Sequence, residues 1–454
     1  MKLTKNKIIY EKNWKNVPSK CLAFVIPETI EEIQKVVRSN ELITIRGSGT
    51  SLTGGCTAHN SVVIDMSKLN KVIDINPNKK IVVVEAGILV SDLNTILETS
   101  GLEFPIETIF YGVETIGGMI AKNSCGSREI KYNRMMNWID SLEIVNAKGE
   151  LLKISKSEMS DFIGLEGITG VIVRASLRLT NKKKKTISIL KSNNLEDIFK
   201  ANSRLRLNQD ISSIELLNKD ISYLLGLEKK YHLFIEYENN EGLFKEQEYV
   251  KFFKLKNKAF ERVLGEGLFY IESVKIFQDS IEDFIIYLEQ NSIQYFSHFA
   301  SGVFYLCFHP TQIDKRNDTL RFAKKINGKI AYNSGFGITN KEFLEFGEKE
   351  IIKRIKKRRD SEFKFNKYIL LNPLDFSKEK SKDFEEDVNE DLEKQGNAKD
   401  KEEEEIQTTL DTDEKLIETF NLKTQKQRIE LSEEEKEKVK KLAAGFFAGG
   451  KKEE

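Results

Sequence analysis

The chain has few of the residues that build metal centres, and it has no long apolar run. Its 454 residues include only four cysteines, Cys21, Cys56, Cys125 and Cys307, which lie far apart and never form a C-x-x-C pair. This spacing predicts neither an iron–sulfur cluster nor a structural zinc site. No apolar run approaches the length of a bilayer span, and the basic segment 1–15 lacks the apolar core of a signal peptide. We therefore expect a soluble protein in the cytoplasm, with reduced thiols.

An excess of charge of one sign is also missing. Lysine and arginine number 72 against 71 aspartates and glutamates, so the overall charge does not point to a nucleic-acid partner. Two local clusters, Lys182–Lys185 and Lys353–Arg359, could each contact an anion, although such runs more often form a solvated face. With 39% hydrophobic residues, a chain of this length can bury a sizeable core, and we expect two domains and a tail.

A glycine-rich turn, Arg46–Gly55, follows the apolar run Leu42–Ile45 and reads R-G-S-G-T-S-L-T-G-G. Because Gly47 and Gly49 can adopt positive φ, successive backbone N–H groups of this turn can converge on an anion such as a diphosphate. Further donors are the hydroxyl groups of Ser48, Thr50 and Ser51. The spacing fits neither G-x-G-x-x-G nor G-x-x-x-x-G-K-[ST]. On its own, the turn is equally consistent with an ordinary surface loop.

Two more segments favour a cofactor site over a surface loop. Thr115–Gly126 reads T-I-G-G-M-I-A-K-N-S-C-G, and Gly164–Val173 reads G-L-E-G-I-T-G-V-I-V. Both place glycines and small polar residues beside an apolar stretch. A long anionic cofactor needs backbone donors for its diphosphate, and small residues allow the backbone to approach a flat ring closely.

Taken together and in this order, the three segments resemble the PCMH-type FAD-binding domain of the vanillyl-alcohol oxidase family. The branch they resemble most contains glycolate oxidase flavin subunits, FAD-linked D-lactate dehydrogenases and D-2-hydroxyglutarate dehydrogenase. The first segment matches the family pattern R-G-x-G-T-x-L-x-G-G at every fixed position, and the second departs from its pattern only at Met119. The resemblance extends from about Pro27 to Leu179. It implies an FAD-dependent oxidoreductase acting on CH–OH groups of a small-molecule substrate.

The resemblance also implies which residues hold the cofactor. They are Arg46, Gly47, Ser48, Gly49, Thr50, Ser51, Gly54, Thr115, Gly117, Gly118, Asn123, Ser124, Gly126, Glu166, Gly170 and Ile172. Whether Arg46 adds charge to the site or is a solvated residue at a strand end stays open. Relatives that attach their flavin covalently commonly use a histidine in the first segment, where this chain has Thr50, and His59 lies too far along to replace it. We therefore expect noncovalent FAD.

The fold class expected is α+β, with a PCMH-type FAD-binding domain over residues 1–180, an α+β cap domain over 181–375 and a charged tail over 376–454. Hydrophobic periodicity predicts several individual elements. These are a helix at Thr29–Ser39, strands at Leu42–Ile45, Val62–Asp65 and Ile81–Glu85, a helix at Val90–Thr99, a hairpin of Leu142–Val145 with Leu151–Ile154, and a last helix at Lys341–Arg359.

The cap departs from its relatives at the positions of their metal site. Those relatives typically carry H-x-G-D-G-N-x-H and later G-E-H-G-x-G, in which two histidines and the glutamate bind a divalent metal and the third histidine acts as base. The corresponding stretches here are His298–Tyr305 and Tyr332–Gly337. Asn333 stands at the position of the glutamate and Ser334 at that of the base. Since only one ligand, His298, remains, we expect no bound metal.

Without a metal and its base, the candidates for acid–base chemistry are His298 and Tyr305, followed by Tyr332 and His309. His309 precedes Pro310 at a strand end and is more typical of a surface histidine, and His232 is typical of a strand residue. Two functions stay open. The chain is either an enzyme that oxidises a small 2-hydroxy acid or similar substrate without a metal, or a flavin-binding partner subunit whose cap is not catalytic. The electron acceptor is unknown, and an iron–sulfur subunit is one candidate.

From Asp375 onward the sequence is rich in lysine, glutamate and aspartate, as in Lys399–Glu405. Such a composition cannot bury enough apolar surface to fold alone. The stretch Ser432–Glu435 has the pattern of a capping box that opens a short helix. A disordered, solubilising tail is favoured, and a small element that docks a protein partner is the alternative.

Overall fold

The computed structural model describes residues 8–11 and 19–376, and they form an α+β fold as expected. The predictions made for the tail fall outside the described residues. The helices are α1 (Ile8–Glu11), α2 (Ile30–Ser39), α3 (Val90–Glu98), α4 (Ile116–Lys122), α5 (Glu129–Tyr132), α6 (Leu195–Leu205), α7 (Lys219–Leu224), α8 (Glu246–Asn257), α9 (Ala259–Gly265), α10 (Ile281–Gln290), α11 (Ile313–Lys325) and α12 (Phe346–Arg359). The strands are β1 (Lys20–Val25), β2 (Ile43–Arg46), β3 (His59–Asp65), β4 (Val72–Asn76), β5 (Ile81–Glu85), β6 (Leu102–Glu103), β7 (Ile139–Val145), β8 (Leu151–Ile154), β9 (Val171–Arg178), β10 (Thr180–Asn181), β11 (Thr186–Ser192), β12 (Ile211–Leu217), β13 (Tyr231–Tyr237), β14 (Tyr270–Lys275), β15 (Gln294–His298), β16 (Val303–Phe308) and β17 (Lys329–Ile330).

Two sheets carry the three glycine-rich segments. Strands β1, β3 and β2 form a small parallel sheet in that order, and β4-β5-β9-β7-β8 form an antiparallel one. Helix α2 begins where the Thr29 hydroxyl accepts a hydrogen bond from the Glu32 amide, and its Ile33 and Val37 are fully buried. This apolar face joins one core with β5, β7 and β9. The first segment therefore leaves the end of a buried strand, and the third leads into β9.

The cap contains a seven-stranded antiparallel sheet in the order β11-β13-β12-β15-β16-β14-β17. Every residue of β12, β13 and β16 is buried, because helices cover both faces. One core joins the sheet to α6, α10 and α11, and the other joins it to α7, α8 and α9. The second core also includes Leu52 and Cys125, which belong to the first two glycine-rich segments. The cap sheet is thus packed directly against cofactor-segment residues.

Most predicted elements lie within a few residues of their observed bounds, and the predicted hairpin is formed by β7 and β8. The helix predicted at Lys341–Arg359 is wrong in its first turn. A short 3₁₀ turn at Lys341–Phe343 ends at Leu344, which is extended and buried, and α12 begins only at Phe346. Burial of the Leu344 side chain holds the backbone out of the helix there. The domain boundaries near residues 180 and 375 stay predictions.

Candidate functional site

A cavity of about 780 Å³, open to solvent, lies where the three glycine-rich segments meet. Eleven of the sixteen predicted cofactor residues line it: Gly47, Ser48, Gly49, Thr50, Ser51, Thr115, Gly117, Gly118, Glu166, Gly170 and Ile172. Segments up to 120 residues apart in the chain therefore form one surface, as the sequence indicates.

The glycines of this cavity stand where a side chain has no room. A Cβ atom on Gly47 would lie 2.4 Å from the Thr115 hydroxyl oxygen, and one on Gly117 would lie 2.8 Å from the Ala86 side chain. Gly49 has φ +77°, and a Cβ atom there would lie 2.0 Å from the Arg46 guanidinium. Positive φ and close approach are the two conditions that require glycine. These glycines therefore let the segments pack closely against their neighbours around the cavity.

Five predicted cofactor residues do not line the cavity, and each has a local role instead. Arg46 lies behind the first segment, against Gly49 and 5.5 Å from the centre of the Tyr10 ring, so it is not a freely solvated arginine. Gly54 has φ +77° in the turn that follows. The remaining three lie at or just beyond the end of α4; Asn123 caps that helix in the left-handed conformation, Ser124 is fully buried, and Gly126 packs against the backbone of Glu107.

Several residues that line the cavity escaped the sequence interpretation. Glu114 and Lys122 form an ion pair at its wall, and Cys56 and Asn366 also line it. Asn366 accepts a hydrogen bond from the Ile45 amide at 3.0 Å and donates one to the Glu166 carbonyl at 2.7 Å. It thereby ties the first segment to the third. Lys122 lies inside a recognised segment and could have been found, whereas Asn366 lies some 200 residues further on with no local signal.

Glu166 connects the cavity to the cap. Its carboxylate lines the cavity and accepts hydrogen bonds from the amides of Phe336 at 2.7 Å and Gly337 at 3.0 Å. Burial raises the pKa of Glu166 to about 7, against the lowering effect of these two hydrogen bonds. The side chain therefore titrates near neutral pH at the junction between the third segment and the cap.

The cap loop Tyr332–Ile338, which replaces the second metal-binding stretch of the relatives, is bonded to all three glycine-rich segments. Its Ile338 amide donates to the Thr53 carbonyl of the first segment at 2.8 Å. Asn333 forms a pair of 3.0 Å hydrogen bonds with the backbone of Cys125 in the second segment. The third bond is the Glu166 carboxylate contact described above. The position of this loop therefore depends on all three segments that form the cavity.

The residues predicted to stand at metal-ligand positions come together and bond to one another. The Asn333 amide donates to the Tyr305 hydroxyl at 2.7 Å, and that hydroxyl lies 3.2 Å from His298 Nε2. Either atom can be the donor in this contact, because a phenol oxygen can accept two hydrogen bonds, and His298 Nδ1 lies 3.5 Å from a Glu215 carboxylate oxygen. Burial raises the pKa of Tyr305 well above its ordinary value. Ser334, at the position of the base, bonds instead to Ser273.

The other histidines agree with their structural interpretation. His232 lies in β13, and His309 is exposed and caps the turn after β16. Half-buried His59, whose pKa desolvation lowers to about 4, lies outside the glycine-lined cavity. Within residues 8–11 and 19–376, no three His, Cys, Asp or Glu side chains are grouped to hold a metal ion. No helix in this part of the chain has both the length and the apolar character of a membrane span.

The basic cluster Lys353–Arg359 does not form a simple solvated face. Lys356 is buried and donates to the carbonyls of Ile168 and Phe365 and to the Asp360 carboxylate. Its ammonium group therefore fixes the third segment from outside the cavity. This role requires the tertiary fold and could not be inferred from the charge run.

Comparison with known proteins agrees with this geometry. Residues 21–155 match a protein-family model described as "FAD binding domain". The chain is 34% identical over 174 residues to a D-2-hydroxyglutarate dehydrogenase of Xanthomonas citri pv. viticola, covering 35% of this chain and 37% of the relative. It is 27% identical over 234 residues to a D-2-hydroxyglutarate dehydrogenase of Stutzerimonas stutzeri, covering 48% and 50%. It is 29% identical over 187 residues to the Glycolate oxidase subunit GlcD of Bacillus subtilis, covering 38% and 40%.

The chain thus spans half the length or less of these curated relatives. The matched portion contains the first two glycine-rich segments and the strands that carry them. Residues 21–155 therefore form a PCMH-type FAD-binding domain, and over this domain the chain is similar to these relatives.

Proposed function

We propose that the chain is an FAD-dependent oxidoreductase that oxidises a small 2-hydroxy acid or a similar substrate by hydride transfer to flavin N5, without a bound metal. The observation that carries this proposal is the cavity formed jointly by all three segments, with glycines where a Cβ would collide. The relatives' names supply the substrate class. When bound, FAD supplies a two-electron oxidant.

In this proposal the chain holds the cofactor through the walls of the cavity. The small residues of the first segment would hold the diphosphate, and Gly170 and Ile172 would lie along the ring; these residues all line the cavity. Thr50 offers no imidazole for attachment, so FAD is bound noncovalently. Cys56 is the one thiol lining the cavity among the described residues. Acid precipitation of the holoprotein should release all colour to the supernatant, and colour that stays with the pellet of the wild type but not of Cys56→Ser would identify a thioether instead.

His298 and Tyr305 are the proposed acid–base residues of the cap. The Tyr305 hydroxyl lies 3.2 Å from His298 Nε2, and a Glu215 carboxylate oxygen lies 3.5 Å from His298 Nδ1. A metal-free reaction requires these residues to orient the substrate without a Lewis acid. Elemental analysis should find no stoichiometric zinc or manganese, and a chelator should leave flavin reduction unchanged. One tightly bound metal per chain would contradict the metal-free proposal.

The alternative is a flavin-binding partner subunit with a non-catalytic cap. The specific observation in its favour is the chain of hydrogen bonds through His298, Tyr305 and Asn333, which occupies the positions of the relatives' ligands. An iron–sulfur subunit as electron acceptor, a tail that docks a partner and a cytoplasmic location all stay predictions.

Rapid mixing of the FAD-loaded protein with D-lactate, glycolate and D-2-hydroxyglutarate separates the two functions. Bleaching of the flavin by any of them supports the enzyme. Normal reduction by dithionite with no bleaching by the panel supports the partner subunit. Pull-down with and without residues 376–454 would then test whether the tail recruits the missing catalytic protein.

A further inference from the structure

The charged side chains at the wall of the FAD cavity are mostly negative. The carboxylates of Glu114 and Glu166 line the cavity, and among the described lining residues Lys122 is the one with a cationic side chain. Arg46 lies behind the first segment and does not line the cavity. FAD adds a negatively charged diphosphate, and like charges repel one another strongly where little water screens them. The cofactor therefore needs a cation at this wall, and Lys122 is in the place to supply it.

The ammonium group of Lys122 is held by its surroundings. It lies in the last turn of α4 and forms an ion pair with the Glu114 carboxylate. It also lies 5.6 Å from the centre of the Phe110 ring. The Glu114 side chain is 2% exposed and that of Lys122 is 13% exposed, so little water reaches the pair. The ammonium group is therefore fixed at the cavity wall.

Glu114 is itself fixed by two other groups. Its second carboxylate oxygen accepts a hydrogen bond from the Thr108 hydroxyl. Its backbone carbonyl accepts one from the Val90 amide at 3.1 Å, at the start of α3. A buried ion pair adds little net stability, because the cost of desolvation offsets the attraction between the charges. Fold stability alone therefore does not account for an ion pair fixed at this place.

Two N–H donors of the Lys122 ammonium group remain for a ligand. The group has three donors, and within the described part of the chain it donates one hydrogen bond, to Glu114. Its charge also reaches the third glycine-rich segment. Burial raises the pKa of Glu166, and Lys122 is among the groups that oppose this rise. Lys122 therefore acts electrostatically across the space that FAD would fill.

We propose that the Lys122 ammonium group, positioned by Glu114, binds the negative charge of FAD. This charge has two sources, the diphosphate and the flavin ring after it has been reduced. Both accept hydrogen bonds from a cation, and such charge-assisted bonds are stronger than neutral ones. The inference rests on FAD binding as stated in the proposed function, and it adds Lys122 to the residues that hold the cofactor.

The test uses the two members of the ion pair, whose effects should have opposite signs. Lys122→Met should weaken FAD binding about ten- to hundredfold, because a hydrogen bond to a charged group is lost. Glu114→Gln removes a carboxylate that competes with FAD for Lys122 and should tighten binding about threefold. A pair that only supported the wall would weaken binding in both variants. Titration of the apoprotein with FAD, followed by quenching of flavin fluorescence, measures the affinities.

Lys185→Met is the matched control. Lys185 forms a 2.5 Å ion pair with buried Glu103 and does not line the cavity. Its loss should leave FAD affinity within about twofold of the wild type. If Lys122→Met does not fold, because Glu114 is left buried without its cation, Lys122→Met with Glu114→Gln replaces it. This double variant has no unpaired charge and should bind FAD about tenfold or more weakly than Glu114→Gln alone.

The midpoint potential of the bound flavin distinguishes the two sources of charge. If Lys122 binds the diphosphate, Lys122→Met weakens the binding of oxidised and reduced FAD equally and leaves the potential unchanged. If Lys122 binds the reduced ring, the affinity for oxidised FAD changes little, and the potential falls by about 30 mV for each tenfold loss of affinity for reduced FAD. Glu114→Gln should then raise the potential. Equilibration with a reference dye during reductive titration measures it.

Two outcomes would contradict the inference, and they are distinguishable. If Lys122→Met and Glu114→Gln change FAD affinity in the same direction or not at all, and both keep the wild-type potential, the ion pair only supports the wall. The inference is then wrong, and the proposed function stays intact. A wild-type protein that binds no FAD would overturn both.

Discussion

The polar side chains of the FAD-binding segments and those of the cap have different kinds of partners. In the segments, serine and threonine hydroxyls surround a cavity that glycines keep wide. In the cap, His298, Tyr305 and Asn333 bond to one another, and Lys256 pairs with Glu215 beside them. Polar groups that serve a ligand stay available to it, whereas buried polar groups without a ligand must find partners within the protein. The cap is therefore held together by its own polar bonds, and the FAD cavity is defined by missing side chains.

The largest effect should come from breaking the buried ion pair in the cap. Lys256→Met leaves the Glu215 carboxylate buried beside His298 without its cation, which costs about 3–5 kcal/mol of unfolding free energy. Lys200→Met removes an exposed pair with Glu196 on α6 and should leave the free energy of unfolding almost unchanged, because solvent screens this pair. Urea denaturation of both variants measures the difference. Similar midpoints would mean that the cap does not depend on its buried charges.

The second largest effect should be a loss of FAD affinity in the cavity formed by the glycine-rich segments. Gly49→Val places a branched side chain at φ +77° and into the Arg46 guanidinium, so FAD affinity should fall by about a hundredfold or more. Gly101→Val is the matched control, since Gly101 has φ +66° with nothing within 4 Å of its Cβ position. Both variants carry backbone strain, but only the first changes the cavity. Equal FAD affinities in a fluorescence titration would contradict the assignment of the cavity.

A smaller effect concerns pH at the junction of the two regions. Because the folded pKa of Glu166 is raised to about 7, its contribution to stability is complete below the unfolded pKa and is lost as pH rises through 7. Between pH 5 and 8, the FAD-free wild type should therefore lose about 2 kcal/mol more unfolding free energy than Glu166→Gln. Denaturant titrations at several pH values measure this. Parallel curves for the two proteins would show that Glu166 is ionised throughout.

The smallest effect should come from replacing two members of the hydrogen-bonded cluster of His298, Tyr305 and Asn333 in the cap. Tyr305→His with Asn333→Glu gives His298 two further ligands where a hydrogen-bonded chain now lies, and zinc affinity should rise at least about tenfold over the wild type. The residual contact of residue 333 with Cys125 limits the gain. Calorimetric titration with zinc alone measures it, and His298→Ala in the same background should abolish the gain. No increase would mean that these positions do not converge on one point.

The sequence predicts the glycine-rich FAD-binding segments better than it predicts the cap, for a physical reason. Glycines with positive φ at Gly49 and Gly167 leave a local mark in the sequence, and the strands around them have regular apolar runs. Asn366 carries no such mark, because its role depends on two backbone groups that the fold brings to it. The break at Leu344 likewise depends on tertiary burial that overrides helical periodicity.

In the cap, the sequence identifies the lost ligands but not what the remaining residues do. The sequence contains His298, yet only the structure shows that its two ring nitrogens face Tyr305 and Glu215. The sharing of Arg128 by Glu107 and Glu236 likewise leaves no mark in the sequence. Competition between carboxylates for one cation becomes visible only in three dimensions.

The contacts of the loop Tyr332–Ile338 connect FAD binding with the amount of this protein that survives in a cell. Its bonds to Thr53, Cys125 and Glu166 hold only when all three segments are in place. A ligand that binds the folded form alone raises stability in proportion to the logarithm of its concentration over its dissociation constant. Vitamin supply would then set how long the newly made chain survives proteolysis, and riboflavin-starved cells should contain less of this protein without any change in its synthesis.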